Sequence, residues 1–147
     1  MFLNKLEMDL KEIWPLINEV ISSGGRFRLF HKGQSMMPLL REGKDSVSLV
    51  KANELKKNDI VVYVRQSGQL VMHRIVKIKG DELIMCGDNQ ALLEHGITKE
   101  NILARVEGIY RDDTYVELTN KKYLKYVKKL PFRRFKIRWL FRLGINK

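Results

Sequence analysis

Between residues 26 and 118 the chain breaks into runs too short for helices and too evenly interrupted for anything but a meandering sheet. Seven runs are rich in β-branched and aromatic residues or alternate apolar with polar: 27–30, 46–50, 60–64, 70–78, 82–85, 102–110 and 115–118. Turn-forming groups separate most of them, among them Glu42-Gly43-Lys44-Asp45, Lys57-Asn58-Asp59, Gln66-Ser67-Gly68, Lys79-Gly80-Asp81 and Arg111-Asp112-Asp113. Connections this short join antiparallel neighbours, because parallel strands need a long crossover. The pattern predicts a mainly β fold with flanking helices, its antiparallel sheet coiled or closed into a small barrel. No βαβ alternation, internal repeat or low-complexity stretch competes with this reading.

The two flanks read differently. In residues 3–22, Leu3, Leu6, Leu10, Ile13, Ile17 and Val20 recur at three- and four-residue steps, which predicts an amphipathic helix. Pro15 lacks an N–H and should kink that helix or start a second one, and Ser22-Ser23-Gly24-Gly25 ends it. Its apolar stripe suits packing on the sheet, with a partner surface as the alternative. The chain thus divides into a helical segment (1–25), a β domain (26–119) and a C-terminal tail (120–147).

Charge sets the tail apart. The 147 residues carry a net +11, yet residues 120–147 hold eleven Lys or Arg and no Asp or Glu, so the rest of the chain is formally neutral. A high overall basicity therefore does not mark the whole protein as a nucleic-acid binder. Within the tail, Phe132, Phe135, Trp139, Leu140 and Leu143 share one helical face, while Arg134, Arg138 and Arg142 group on another. Three readings stay open: a helix resting on an anionic membrane surface, a helix packed on the β domain, or contact with an acidic partner or nucleic acid. Cys86 is the single cysteine, so no internal disulfide is possible. No apolar run reaches the roughly 18–20 residues of a spanning helix, and the N-terminus lacks a signal peptide's basic flank and apolar core. A cytoplasmic location is expected, with the inner membrane face as a possible resting place for the tail.

Three short stretches carry potential chemistry. Gly33-Gln34-Ser35-Met36-Met37-Pro38 places a serine at a turn-prone corner, where a cap or turn role competes with that of a nucleophile. His73 lies in an otherwise apolar, alternating strand beside Arg74. Asp88 stands in the Gly87-Asp88-Asn89 turn, where an Asx-turn role is the alternative. A serine hydroxyl needs a base within about 2.6–3.2 Å, and a neutral imidazole is such a base near pH 7. A carboxylate on the far ring nitrogen would fix the tautomer. Chemistry of this kind calls on no metal or cofactor, and none is expected.

Taken in order, Gly33-Gln34-Ser35-Met36-Met37-Pro38, Asn58-Asp59-Ile60-Val61-Val62-Tyr63, His73-Arg74-Ile75-Val76 and Gly87-Asp88-Asn89 resemble the motif set of signal peptidase I-type serine peptidases. The likeness is narrower to the soluble bacterial members grouped with the S24/S26 peptidases, and it spans roughly residues 26–110. The resemblance implies a coiled, largely β catalytic domain and hydrolysis of a peptide or protein precursor through an acyl-enzyme. It implies Ser35 as nucleophile, His73 as general base and Asp88 as the residue orienting it, with Glu94 as an alternative carboxylate. Gly33, Gln34, Met36 and Pro38 would shape the corner, and the Ser35 backbone N–H would stabilise the oxyanion. Gly33 stands where the bacterial branch often has a serine assisting that oxyanion, so the second donor is unidentified. A non-catalytic peptide-binding module on the same fold is the alternative. A self-cleaving DNA-binding relative fits poorly, because no helix-turn-helix pattern precedes the β domain.

Overall fold

A computed structural model describes residues 9–144. Helix α1 (Leu10–Ser22) is followed by strands β1 (Phe27–Phe30), β2 (Ser46–Val50), β3 (Ile60–Val64), β4 (Leu70–Lys79), β5 (Glu82–Cys86), β6 (Glu94–Thr98), β7 (Ile102–Arg111) and β8 (Thr114–Glu117), then by helix α2 (Lys121–Arg142). The strands form one antiparallel sheet in the order β1-β2-β7-β3-β4-β5-β6, with β8 added to β7. β1 and β6 end the sheet, so it is open and the barrel alternative is not formed. The long strand β7 is the pivot. β2 pairs along one edge of it, while β3 and β8 share the other.

Register shifts at Ser48/Leu49, Val62/Tyr63, Ile75/Lys77 and Leu83/Met85 bend the strands and add twist. The sheet therefore wraps two apolar clusters. Side chains of β3 alternate between them: Ile60 and Val62 join α1, β1, β2 and β7, whereas Val61 and Tyr63 join Ile75, Leu83, Met85 and Ile97. Covering both faces makes β3 buried almost throughout. At Gly108 an added Cβ would lie only 2.1 Å from the Tyr115 hydroxyl, so the absence of a side chain lets β8 lay its tyrosine against β7.

Neither Pro15 nor Pro131 ends the helix that holds it. Pro15 lies inside α1 rather than opening a second helix, and α1 buries Ile13, Ile17 and Ile21. Residues Leu3 and Leu6 of the expected stripe lie outside the described residues. α2 runs unbroken through Pro131 from an Asn120 cap, whose side chain accepts hydrogen bonds from the Lys122 and Tyr123 amides. It is no detached tail, since Tyr123 sits in the larger core cluster and Leu130 is buried. The strand missing from the sequence reading is β6, whose Gly96 takes φ +85° between exposed His95 and buried Ile97. Among the described residues no helix is long and apolar enough to cross a membrane.

Candidate active site

Ser35 and His73 line one groove of about 340 Å³. Ser35 is delivered by the turn that follows β1, and His73 by the first half of β4. The groove is built around unused strand edges. β5 pairs with β4 only from Arg74 onward, so residues 70–73 bond to β3 on one side and leave the other side to the groove. β1 pairs with β2 alone, and residues 29–33, the end of β1 and the chain just past it, form the opposite wall. Two strand edges flanking a serine and a histidine suit an extended peptide that adds main-chain hydrogen bonds to one of them.

The tautomer of His73 follows from its neighbours. Its Nδ1 lies 3.1 Å from the Tyr63 hydroxyl, and that hydroxyl donates to Glu94 Oε1 at 2.6 Å. A phenol has one proton to give, so the Nδ1 must be the donor in the His73–Tyr63 bond. Nε2 is thereby left with a free lone pair, the form a general base requires. Glu94 is fixed in turn by two hydrogen bonds from Arg65 at 2.9 Å. Burial, helped by the Arg65 charge, lowers the His73 pKa to about 4, which keeps the ring neutral at pH 7. Burial foremost, with the Glu94 bond, pushes the Tyr63 phenol well above its ordinary range, so its proton stays in place.

Asp88 stands elsewhere than expected. Its two oxygens accept from Arg74 Nε and Nη2, both at 2.8 Å, and Oδ2 also accepts from the Tyr126 hydroxyl at 2.8 Å. Successive strand residues point to opposite faces, so His73 and Arg74 cannot both turn toward one carboxylate, and Asp88 goes with Arg74. The carboxylate linked to His73 is instead Glu94, through the Tyr63 hydroxyl. The Gly87-Asp88-Asn89 turn is still brought to the serine. The Asn89 amide donates to the Ser35 carbonyl at 2.8 Å, and Asn89 Nδ2 donates to the Gln34 carbonyl at 3.1 Å. A Cβ on Gly87 would lie 2.6 Å from that same Ser35 carbonyl.

The remaining corner residues divide by role. Met36 is fully buried in the core, while Pro38 is exposed and follows a cis peptide bond. Gly33 takes φ +90°, and its amide donates to Glu42 Oε2 at 2.7 Å, so it is held away from use as a donor to substrate. His31 was not singled out from sequence, yet it lines the Ser35 groove and its buried Nε2 has no partner among the described residues. The only sequence signal for it was its place just past β1, two residues before Gly33.

The C-terminal arginines are split. Arg133 donates to the Asp88 carbonyl at 3.2 Å and to Asn89 Oδ1 at 2.9 Å, which ties α2 to the turn behind Ser35. Arg134 tucks its Nε and Nη2 out of solvent near Cys86. Arg138 and Arg142 border a second cavity, whereas Phe132, Phe135 and Trp139 are 79, 65 and 55 % exposed. The aromatic face thus points outward, Arg133 and Arg134 turn to the domain, and Arg138 and Arg142 stay exposed at the rim of the second cavity. Comparison with known proteins yields no protein-family model that matches this chain and no curated protein that matches it in sequence.

Proposed function

We propose that the protein is a serine endopeptidase of the signal-peptidase-like type, cleaving a peptide or protein precursor through an acyl-enzyme, with a coiled β catalytic domain of that kind. One observation carries the reading: Ser35 and a neutral His73, its Nε2 left basic by Tyr63, share a groove bounded by unused strand edges. In this reading Ser35 Oγ attacks the scissile carbonyl as His73 Nε2 takes its proton, and His73 returns that proton to the leaving amine. Water then attacks the ester under the same base and frees Ser35. Tyr63 and Glu94 steady the imidazolium, and the Ser35 amide faces the developing oxyanion. Asp88 acts at one remove, holding the turn against which the serine loop rests.

The test is acylation of the intact chain by a serine-directed activated ester, located by peptide mass. Labelling at Ser35 that disappears in Ser35→Ala and slows at least about 100-fold in His73→Ala is expected, the usual scale of general-base assistance. An unlabelled parent, or equal labelling of His73→Ala, overturns the proposal. The second outcome favours a peptide-binding module without chemistry, a reading to which the lack of a direct carboxylate on His73 lends some weight.

A further inference from the structure

His73 is shared by two cavities. Beyond the Ser35 groove it also lines a cleft of about 770 Å³ between residues 89–94 and the last turns of α2. The size falls within the roughly 300–1,000 Å³ usual for binding clefts. Met85, Leu93, Ile137 and Phe141 give it apolar walls, and Arg138 and Arg142 stand one turn apart along α2. Glu94 is neutralised by Arg65. Neither Arg138 nor Arg142 forms an ion pair among the described residues, and no acidic residue occurs from 120 onward to supply one. The cleft therefore joins apolar surface to a surplus of positive charge, and it adjoins the candidate base.

We propose that this cleft binds the part of the substrate beyond the reacting bond, and that this part is a peptide segment carrying Asp or Glu beside a large apolar side chain. The inference rests on the peptidase reading for the word substrate, and on charge complementarity for the chemistry. Guanidinium groups recognise carboxylates through paired, directional N–H donors, whereas a basic segment would meet repulsion there. Leu92, 84 % exposed on the rim, gives an apolar side chain a surface to cover. The substrate would run from the strand edges past His73 and into the cleft, so specificity is set by α2 as well as by the sheet.

The experiment uses the full chain bearing Ser35→Ala, to prevent turnover, and short fluorescein-labelled peptides read by anisotropy. One peptide alternates Glu with Leu, and matched peptides replace every Glu by Gln or by Lys. The Glu peptide is expected to bind about tenfold or more tightly than the Gln peptide, and the Lys peptide more weakly still. Combining Arg138→Glu with Arg142→Glu should erase that preference, and the milder pair of Arg→Gln changes should reduce it. Equal binding of the Glu and Gln peptides overturns the proposal, as does a preference that survives charge reversal. Charge reversal that abolishes binding to phosphatidylglycerol vesicles, while no peptide binds, also overturns it and assigns the cleft to lipid. The two readings fail separately. Ester labelling of Ser35 without a preference for Glu removes the acidic cleft alone, and a Glu preference without labelling supports the cleft and removes the peptidase.

Discussion

The guanidinium of Arg74 and the carboxylate of Asp88 meet through two 2.8 Å hydrogen bonds, with neither side chain reaching solvent. Tyr123 and Tyr126 complete the cluster, one accepting from Arg74 and the other donating to Asp88. Removing one member would leave an uncompensated charge in the interior. Asp88→Ala should therefore cost about 3–5 kcal/mol of stability, visible as a lower urea midpoint. If Asp88 served only to orient His73, the variant would unfold like the parent and lose activity alone.

Tyr63→Phe removes the hydroxyl that links His73 Nδ1 to Glu94 while preserving the ring in its apolar cluster. The buried groups left without partners should cost about 1–3 kcal/mol. The rate of Ser35 acylation should fall at least about tenfold, because the imidazole then loses the contact that selects its tautomer. Acylation at the parental rate in a folded Tyr63→Phe chain would show that the contact plays no part in the chemistry.

Burial is the main cause that brings His31 and His73 from 6.5 to about 4 in the folded protein, with His73 also lowering His31 and the Arg65 charge also lowering His73. The unfolded chain takes up these protons near pH 6.5 and the folded chain only near pH 4, so between those values the unfolded state binds more protons and stability rises with pH. The stabilisation is complete above about 6.5 and is lost progressively as the pH falls to about 4. Urea midpoints measured across this window should follow that slope, and a chain with both His31→Gln and His73→Gln should flatten it. A parental profile already flat over the same range would contradict the assignment.

Gly87→Ala places a methyl group 2.6 Å from the Ser35 carbonyl, which is backbone and cannot swing aside. Overpacking of this kind costs about 1–3 kcal/mol. The serine loop should shift, so ester labelling should slow more than the unfolding midpoint alone would suggest. Labelling and midpoint both unchanged would refute the close approach of the two turns.

The outward aromatic face of α2, with Lys128, Lys129 and Lys136 on or beside it, fits an anionic lipid surface through apolar insertion and about 1 kcal/mol per basic residue. In a Trp14→Phe background, leaving Trp139 as the sole indole, phosphatidylglycerol vesicles should shift its emission to shorter wavelength. Combining Phe132→Ser with Phe135→Ser should weaken vesicle binding at least about tenfold. No shift at low ionic strength would rule this surface out.

Most strands were legible because each has an inward and an outward face, and period-two alternation records that choice residue by residue. β6 was not, since an edge strand that buries only Ile97 and holds Gly96 at positive φ writes no such pattern. Motif order pairs Ser35 with His73, but it also sets Asp88 beside His73, where the fold does not place it. Its partner is Arg74, adjacent in sequence to the expected one and projecting from the opposite face of β4. The link from Tyr63 to His73 is not legible because it is diagonal across two strands, with Tyr63 opposite Val71 and Val61 opposite His73. Such a relation exists only once register is set.

The bond from Arg133 to the Asp88–Asn89 turn, and from that turn to the serine loop, has a practical consequence. Trimming the cationic end at residue 119 to improve handling would strip away a strut. Arg74 and Asp88 would be opened to water, and the loop bearing the hydroxyl would be left without its backing. A shortened chain that stayed intact but failed to label at Ser35 would then report a collapsed support and leave the full chain's chemistry unjudged.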